Sequence, residues 1–306
     1  MDPTQSLDAW RASGERFEHA GRSYFYQTGG AGPPLLLIHG FPTASWDWHR
    51  IWPELGRRFR LIAPDMLGFG FSPKPRWHRY SMSEQADLHE ALLAQLGVPR
   101  VHLLAHDYGD TVAQELLARH EERRARGDAD RGSGGPFLES VVFLNGGLFP
   151  EAHRPRRVQV LLAGPFGPLL SLLSSRKKFG SGFSAIFGPR TRPSEAELDE
   201  LWQLLTHDGG HRIGHKLIRY MEERRTHRER WVGALVMTSV PRRLIDGPED
   251  PVSGAHLAAR YSELVPGADV VLLPGIGHYP QVEDPAGVLK AFFAFHDRLA
   301  AAPNRS

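Results

Sequence analysis

The residue with the clearest chemical potential in this chain is an aspartate, Asp107. An apolar run at residues 101–105 ends in the short polar turn His106-Asp-Tyr-Gly109, and a helical pattern follows at once. Such a strand–turn–helix segment holds a nucleophile, usually a serine, on a sharp elbow. A carboxylate that attacks an acyl carbon would leave a reactive anhydride, whereas attack on an sp3 carbon leaves an alkyl ester. Asp107 therefore predicts attack on the carbon of an epoxide or an alkyl halide.

Two later residues supply the partners that such a nucleophile needs. Asp250 lies in a turn just after the strand pattern at 243–245, and His278 follows the strand pattern at 269–273. Taken singly, Asp250 is more typical of a turn former, and His278 is equally typical of a surface loop. Nucleophile, acid and histidine nevertheless follow one another in a known order for a catalytic triad, each beyond the end of a strand. We predict that His278, oriented by Asp250, activates a water molecule that hydrolyses the ester.

The turn His39-Gly-Phe-Pro42 follows another buried strand pattern, at residues 35–38. A glycine and a proline there force an exposed turn, which can present the amide of Phe41 to an oxyanion. The amide of Tyr108, directly after the elbow aspartate, is the second expected donor of this oxyanion hole. Asp110, in the first turn of the helix that follows, is interpreted as a charge favoured by the helix dipole.

The elements that must position these residues alternate between strands and helices over most of the chain. Strand patterns lie at residues 16–19, 23–28, 35–38, 59–63, 101–105, 139–144, 243–245 and 269–273. Between about 149 and 231 the alternation stops and helical patterns interrupted by Gly and Pro take over, as at residues 158–174 and 194–205, which is typical of an inserted cap. We predict an α/β fold with a mostly parallel central sheet, helices on both faces and a helical cap after the sixth strand. The predicted divisions are a core in two parts, 1–148 and 236–306, and the cap segment, residues 149–235.

Composition and charge indicate which classes of binding partner can be expected. The chain of 306 residues has a formal net charge of +2 and a pI near 9.0, but its arginine groups, such as those at 123–124 and 224–230, have glutamates among or beside them. We interpret these groups as solvated helix faces, and no nucleic-acid motif accompanies them. The sequence shows no signal peptide and no apolar run long enough to span a membrane, so a cytoplasmic protein is expected. It does not indicate an oligomeric state.

The same residues give little reason to expect a metal or a cofactor. Cysteine is absent, which excludes thiolate ligands, and the glycines at 29–32 are not followed by the Lys-Ser/Thr of a phosphate-binding loop. His207, His211 and His215 have helical spacing, but the glycines between them argue against a stable helix. No cofactor and no metal site are predicted.

The sequence resembles the α/β-hydrolase superfamily over nearly its whole length, and its aspartate nucleophile resembles that of the epoxide hydrolase and haloalkane dehalogenase branch. A closer resemblance is to the hydrolases of the mesoderm-specific transcript protein group. The segments that carry it are His106-Asp-Tyr-Gly-Asp-Thr-Val-Ala-Gln-Glu115, Asn145-Gly-Gly-Leu-Phe-Pro-Glu-Ala-His-Arg-Pro155, Arg230-Trp-Val-Gly-Ala-Leu235 and Gly277-His-Tyr-Pro-Gln-Val-Glu-Asp-Pro285. The resemblance implies an α/β-hydrolase fold and hydrolysis of a small apolar substrate.

The resemblance also implies what should protonate or hold the leaving group. Epoxide hydrolases generally use a pair of cap tyrosines as the acid, and Tyr220 is the one tyrosine of the cap segment. His153 or His215 is the candidate for the second donor, while a packed Tyr220 ring with a surface hydroxyl is the competing interpretation. Dehalogenases of this branch hold the halide with a tryptophan after the nucleophile and an Asn or Trp after the first His-Gly, where this chain has Tyr108 and Phe41.

These features favour an enzyme that opens epoxides to vicinal diols through an ester on Asp107. The alternatives are a haloalkane dehalogenase with the same nucleophile and a different halide site, and a non-catalytic ligand-binding protein that retains the fold.

Overall fold

Eight strands form a single sheet in the computed structural model, which describes residues 6–127 and 135–301. The strands are β1 (Glu15–His19), β2 (Arg22–Gly29), β3 (Pro34–Ile38), β4 (Arg60–Pro64), β5 (Arg100–Ala105), β6 (Phe137–Phe143), β7 (Arg242–Asp246) and β8 (Val270–Leu272). Their order is β1-β2-β4-β3-β5-β6-β7-β8, with β2 antiparallel to both of its neighbours and all later pairs parallel. The predicted mostly parallel α/β fold is confirmed.

The register of the central strands brings their carboxyl ends level. Ile38 of β3 is paired with Ala105 of β5, and Ala105 is paired with Phe143 of β6. Because parallel strands end at the same edge of a sheet, the segments after these three residues meet there. The turns that begin at His39 and His106 are therefore neighbours, although 67 positions separate those residues in the sequence.

Helices cover both faces of the sheet and fill the segment between β6 and β7. They are α1 (Leu7–Ser13), α2 (Trp52–Gly56), α3 (Met82–Gln95), α4 (Tyr108–Ala125), α5 (Arg157–Ala163), α6 (Gly167–Leu172), α7 (Arg176–Ser184), α8 (Glu195–Thr206), α9 (Gly214–Leu217), α10 (Tyr220–Thr226), α11 (Arg228–Met237), α12 (Ala255–Leu264), α13 (Pro280–Glu283) and α14 (Pro285–Ala301). Side chains of α3, α4 and α12 form one apolar core with the sheet, and those of α2 and α14 form another. Burial on both sides explains why β3, β4 and β5 are apolar runs rather than alternating patterns.

All helices and turns described between β6 and β7 belong to a connection that contains no strand. The helical pattern predicted from 158 to 174 is two short helices, α5 and α6, because Gly164 and Pro165 interrupt it. Asp208 and Gly209 have left-handed φ angles of 48° and 73°, so the histidines at 207–215 do not share one helix face. The exact division at 149 and 235 remains a prediction, and α11 continues to Met237. Within the described ranges no helix combines the length and apolar character needed to cross a bilayer.

Candidate active site

Asp107 lies at the apex of a strained turn between β5 and α4. Its φ and ψ angles are 49° and −104°, which a residue with a Cβ rarely adopts. The amide of Asp107 donates to the carbonyl of Asn145 at 3.0 Å. A Cβ at Gly109 would overlap the Ile38 carbonyl and come within 2.7 Å of the His39 oxygen. Glycine at position 109 therefore lets α4 start against the neighbouring strand, and this close approach raises the aspartate above the sheet edge.

Two backbone amides are available beside the Asp107 carboxylate. The amide of Phe41 donates to Oδ2 of Asp107 at 3.1 Å, across the level ends of β3 and β5. Tyr108 is the first residue of α4, and an amide in the first helical turn has no acceptor within the helix. The structure thus places the Phe41 amide at the carboxylate, and the role of the Tyr108 amide as the second oxyanion donor stays a prediction.

The acid and the histidine form a buried pair. Nδ1 of His278 lies 2.7 Å from Oδ2 of Asp250, and Nε2 of His278 lies 4.0 Å from Oδ2 of Asp107. A proton on Nδ1 in this bond leaves Nε2 facing Asp107, which is the orientation of histidine and acid in a catalytic triad. The sequence-predicted Asp107, Asp250 and His278 are therefore brought together.

Burial and charge act in opposite directions on this pair. Burial favours the neutral form of Asp250, but the charge of His278 and hydrogen bonds from His278, Val252 and Ser253 outweigh it and lower the pKa of Asp250 to about 2. Burial likewise disfavours charge on His278, but the carboxylates of Asp250 and Asp107 raise its pKa to about 9. His278 is consequently an imidazolium at neutral pH as long as both carboxylates are ionised.

The acid is held by residues that the sequence analysis did not single out. Oδ2 of Asp250 accepts from the Ser253 hydroxyl at 2.7 Å and from the Asn145 amide at 3.2 Å. Asn145 also accepts the Gly247 amide at 2.7 Å, and its carbonyl accepts the amide of Asp107. One buried residue after β6 therefore joins the elbow, through its backbone carbonyl, to the acid turn, through its side chain. Its place directly after the strand pattern at 139–144, level with Asp107, is the sequence signal that could have identified it.

Tyr220 projects from the start of α10 towards the nucleophile. Its ring centroid is 5.0 Å from that of Tyr108 and 6.1 Å from that of Phe41. The hydroxyl is buried and has no hydrogen-bond partner among the described residues. Burial raises the pKa of the phenol, and the negative charge of Asp107 raises it further. Tyr220 therefore keeps its proton at neutral pH, and the competing interpretation of a surface hydroxyl is wrong.

The two histidines considered as second donors lie in different places. His153 is close enough to Arg224, His278 and Asp250 for their charges to act on it, and both its ring nitrogens are buried without a partner in the described part of the chain. Burial, with the positive charges of Arg224 and His278, lowers its pKa to about 3, so it is neutral. His215 instead bonds through Nδ1 to the Ser171 hydroxyl at 3.2 Å, beside a hollow on the surface. The ring and the backbone amide of His215 both bond to Ser171, and neither of these hydrogen bonds reaches Asp107.

Arg224 is a further residue at the nucleophile, one helical turn after Tyr220. Its Nη2 donates to the backbone carbonyl of Asp107 at 2.9 Å and its Nε donates to the Thr111 hydroxyl at 2.6 Å. The guanidinium also lies over the Tyr220 ring, with Cζ 4.4 Å from the centroid. Nη2 is 3.9 Å from Oδ1 of Asp107, and Nη1 is buried without a partner in the described ranges.

The position of Arg224 corrects one sequence interpretation. The arginines at 224–230 were expected on a solvated face, and Arg228 and Arg230 do form ion pairs with Glu151 and Glu115. Arg224 is instead fully buried. The spacing of four residues from Tyr220, which places both side chains on one helix face, is the signal that could have identified it.

Asp110 also differs from its sequence interpretation. Both of its carboxyl oxygens are buried, with no hydrogen-bond partner among residues 6–127 and 135–301. Burial, together with the nearby charge of Asp107, raises the pKa of Asp110 well above its ordinary value. Its surroundings therefore favour the neutral carboxylic acid over a charge that complements the helix dipole. Within the same ranges, no group of three His, Asp or Glu side chains is arranged to hold a metal ion.

Known proteins with similar sequences and structures share this architecture. Residues 33–126 match the alpha/beta hydrolase fold family. Mesoderm-specific transcript protein of Mus musculus is 44% identical over 95% of this chain and 88% of its own length. Hydrolase LipZ of Mycobacterium tuberculosis (strain ATCC 25618 / H37Rv) is 40% identical over 94% of this chain and 96% of its own length.

Solved structures of other proteins have a fold similar to that of this chain. Epoxide hydrolase CorEH matches with a TM-score of 0.75 at 20% identity, over 94% of this chain and 99% of its own. Haloalkane dehalogenase DbeA of Bradyrhizobium elkani USDA94 matches with a TM-score of 0.75 at 23% identity, over 95% and 99%. The identities and coverage of the sequence relatives show that the chain belongs to the α/β-hydrolase superfamily, in the group that contains mesoderm-specific transcript protein and hydrolase LipZ.

Proposed function

We propose that this hydrolase opens epoxides to vicinal diols through an alkyl ester on Asp107. The observation that carries the proposal is an aspartate at the nucleophile elbow, with the Phe41 amide on one carboxyl oxygen and Nε2 of His278 4.0 Å from it. A carboxylate in this position favours attack on sp3 carbon, because an acyl substrate would give an anhydride.

In the first step, an Asp107 oxygen attacks one ring carbon and the carbon–oxygen bond of the epoxide breaks. Tyr220 donates its hydroxyl proton to the opening oxygen, and its buried, unpartnered hydroxyl supports this assignment. His153 is proposed as the second donor, since its neutral ring has an N–H with no other partner among the described residues. The product of this step is an ester between Asp107 and the opened substrate.

The second step depends on the loss of the Asp107 charge in the first step. Esterification removes the negative charge of Asp107, which is one of the causes that raise the pKa of His278. The imidazolium then passes its proton to the tyrosinate and becomes a neutral base. It takes a proton from water as the hydroxide attacks the ester carbonyl, and the amides of Phe41 and Tyr108 hold the oxyanion. Collapse releases the diol and restores ionised Asp107 and protonated His278.

The surroundings of Asp107 favour a small, largely apolar substrate. Only 3% of Asp107 is exposed, and the rings of Phe41, Tyr108 and Tyr220 pack around it. Substrate and water must therefore enter through movement of the cap segment, which then excludes bulk solvent during the reaction.

A haloalkane dehalogenase is the second candidate, and Arg224 is the observation that favours it. Its buried guanidinium lies 3.9 Å from the Asp107 carboxylate and has an unpartnered Nη1 in the described part of the chain. A halide leaving the substrate would find a fixed positive charge there. An alkoxide would benefit from the same charge, so Arg224 does not exclude the epoxide reaction. The unpartnered Tyr220 hydroxyl favours an oxygen leaving group.

The test is a panel of alkyl and aryl epoxides and bromoalkanes, with diol and halide measured separately by chromatography. We expect diol from the wild-type protein and none above background from Asp107→Ala. The variant His278→Gln should retain the first step and accumulate the ester, seen as the mass of the substrate added to the protein. Equal activity of wild type and Asp107→Ala would refute the nucleophile. Halide release without diol would favour the dehalogenase, and tight binding without turnover on either panel would favour a non-catalytic ligand-binding protein.

A further inference from the structure

The cap segment carries an unusual concentration of exposed apolar side chains. In the described ranges, ten large apolar side chains are exposed, and seven of them lie between residues 158 and 173 with 54% to 69% of their surface accessible. These seven, which we call the apolar face, are Val158, Val160, Leu161, Phe166, Leu169, Leu172 and Leu173. They come from α5, α6 and the residues that flank α6, two helices that contact each other. A contiguous apolar surface of this kind marks an interaction site.

The inner side of the same helices explains why the apolar face is turned outward. Leu162 and Ala163 of α5 pack against the apolar core that contains Tyr220 and Ile218. Ser171, the buried polar residue of α6, bonds to His215 of α9. The helices are thus anchored through one side, and the leucines and valines on the other side contribute nothing to this core.

A basic rim borders the apolar face. Arg154, Arg156, Arg157, Lys177 and Lys178 line one surface hollow of about 820 Å³ together with Val158. Arg156 and Lys178 donate to the backbone carbonyls of Ala185 and Leu173, at 2.9 and 3.3 Å, so they lie at the edge of the two helices. The others extend into solvent. Apolar side chains beside arginines and lysines are the composition of a surface that lies in the headgroup region of a bilayer.

The charged residues of the chain are also unevenly distributed, with the positive excess in the segment that carries the apolar face. Residues 152–194 contain eight Arg or Lys and no Asp or Glu. The other 263 residues contain 29 Arg or Lys and 35 Asp or Glu, a net charge of −6, although the chain as a whole is +2. The apolar face therefore lies in a strongly positive region of a protein that is otherwise negative, and its complement is an anionic surface.

We propose that the apolar face and the basic rim dock this protein on an anionic lipid surface. The leucines, valines and phenylalanine enter the boundary between headgroups and acyl chains, while the rim binds lipid phosphates and carboxylates. Helices of seven and six residues are far too short to span a bilayer, so the protein lies on the surface. Association of two copies through this face would bring two positive rims together, which like-charge repulsion opposes.

The experiment uses the full chain and vesicles of phosphatidylcholine, either alone or mixed with phosphatidylserine, with bound protein measured by flotation. No substrate is needed, so the result is independent of the proposed reaction. We expect binding at least about tenfold tighter to the anionic vesicles. Raising the salt from about 0.1 M to about 1 M should abolish this preference, since it shortens the screening length from about 10 to about 3 Å.

Two double variants separate the apolar and the charged contributions. Leu169→Ser with Leu173→Ser, and Lys177→Glu with Lys178→Glu, should each weaken binding to anionic vesicles by about tenfold or more. Matched controls are Met237→Ser, which removes an apolar side chain exposed elsewhere, and Lys290→Glu on α14, which reverses an exposed charge. Both controls should bind as the wild type does, and circular dichroism should show that all variants are folded.

Three outcomes would overturn the proposal. The first is equal binding to the two kinds of vesicle, and the second is a loss of binding in the controls as large as in the double variants. The third is a change from dimer to monomer on size-exclusion chromatography in the Leu169→Ser, Leu173→Ser variant, with vesicle binding unchanged. That result would assign the apolar face to a second copy of the chain.

Discussion

Replacing Asp250 by asparagine preserves the shape of the side chain and removes the charge that faces His278. Oδ2 of Asp250 lies 2.7 Å from Nδ1 of His278, and both side chains are buried. The loss should therefore appear in the stability of the folded protein as well as in catalysis. It should also depend on pH, because the interaction is strong only while His278 carries a proton.

The pKa values set the size of the effect. The pKa of His278 rises from 6.5 to about 9, which at about 1.4 kcal/mol per unit corresponds to roughly 3 kcal/mol. The pKa of Asp250 falls from 3.8 to about 2, which corresponds to roughly 2 kcal/mol. The value for His278 is larger because Asp107 also attracts the imidazolium. Loss of the Asp250 charge should therefore lower the free energy of unfolding by about 2 to 3 kcal/mol where the pair is fully charged.

The direction of each shift fixes the pH window. Stability from the raised pKa of His278 is fully present below 6.5 and is lost as the pH rises through about 9. Stability from the lowered pKa of Asp250 is fully present above 3.8 and is lost as the pH falls through about 2. The difference between wild type and Asp250→Asn should thus be complete at about pH 6 and clearly smaller at about pH 10, where the attraction to the imidazolium is gone and only the hydrogen bonds accepted by the carboxylate remain.

Urea unfolding followed by tryptophan fluorescence at these two pH values measures the difference. The control is Asp297→Asn, which removes an exposed carboxylate paired with Arg58 and should have the same small effect at both pH values. Because the base loses its orienting partner, ester hydrolysis in Asp250→Asn should also slow by about 10² to 10⁴. Equal destabilisation of Asp250→Asn at both pH values would refute the charged pair.

Substitutions at Tyr220, Arg224 and Gly109, with controls for the last two, examine the site and the elbow. Tyr220→Phe keeps the ring and removes the proposed acid, so kcat/KM for epoxides should fall by about 10² or more; an unchanged value would remove Tyr220 from the mechanism. Arg224→Met leaves the Asp107 carbonyl and the Thr111 hydroxyl without their donor, and should cost about 1 to 3 kcal/mol in urea unfolding. Arg224→Lys should recover only part of this loss. Full recovery would show that the two simultaneous hydrogen bonds of the guanidinium, to Thr111 and to the Asp107 carbonyl, are unnecessary. Gly109→Ala places a Cβ against the Ile38 backbone and should destabilise by about 1 to 3 kcal/mol. Gly233→Ala in α11 meets nothing within 4 Å and should stabilise slightly, so a similar loss in both alanine variants would contradict the packing argument.

The elements that carry the triad were predictable because their signals are local. Residues 35–38 are apolar over their whole length and 101–105 are apolar except for His102, since helices bury both faces of the strands. Each strand is followed by a turn with glycine, and this pattern needs no knowledge of distant contacts. The helical pattern predicted over 158–174, with its interruptions by Gly and Pro, is two short helices in the structure, because Gly164 and Pro165 separate them and α5 has no buried residue to extend it.

The states of individual polar groups could not be predicted in this way. Asp110 has the sequence position of a helix-dipole charge, yet it is buried and its pKa is raised. Arg224 belongs to an arginine-rich run, yet it is buried against Asp107 while Arg228 and Arg230 reach the surface. Burial depends on which helix packs over which strand end, and a pattern along one segment does not contain that information.

The sequence by itself determined the sheet and the order of Asp107, Asp250 and His278 beyond the ends of its strands, and it predicts attack on sp3 carbon, because chain order and the identity of Asp107 are local properties. Only the tertiary structure decided that His153 rather than His215 lies near the triad, and that Arg224 holds the elbow. It also decided the charge of His278, since that charge depends on carboxylates 28 and 171 positions away in the chain. Proximity in the folded chain sets burial and Coulomb interactions, and these set the protonation on which the chemistry depends.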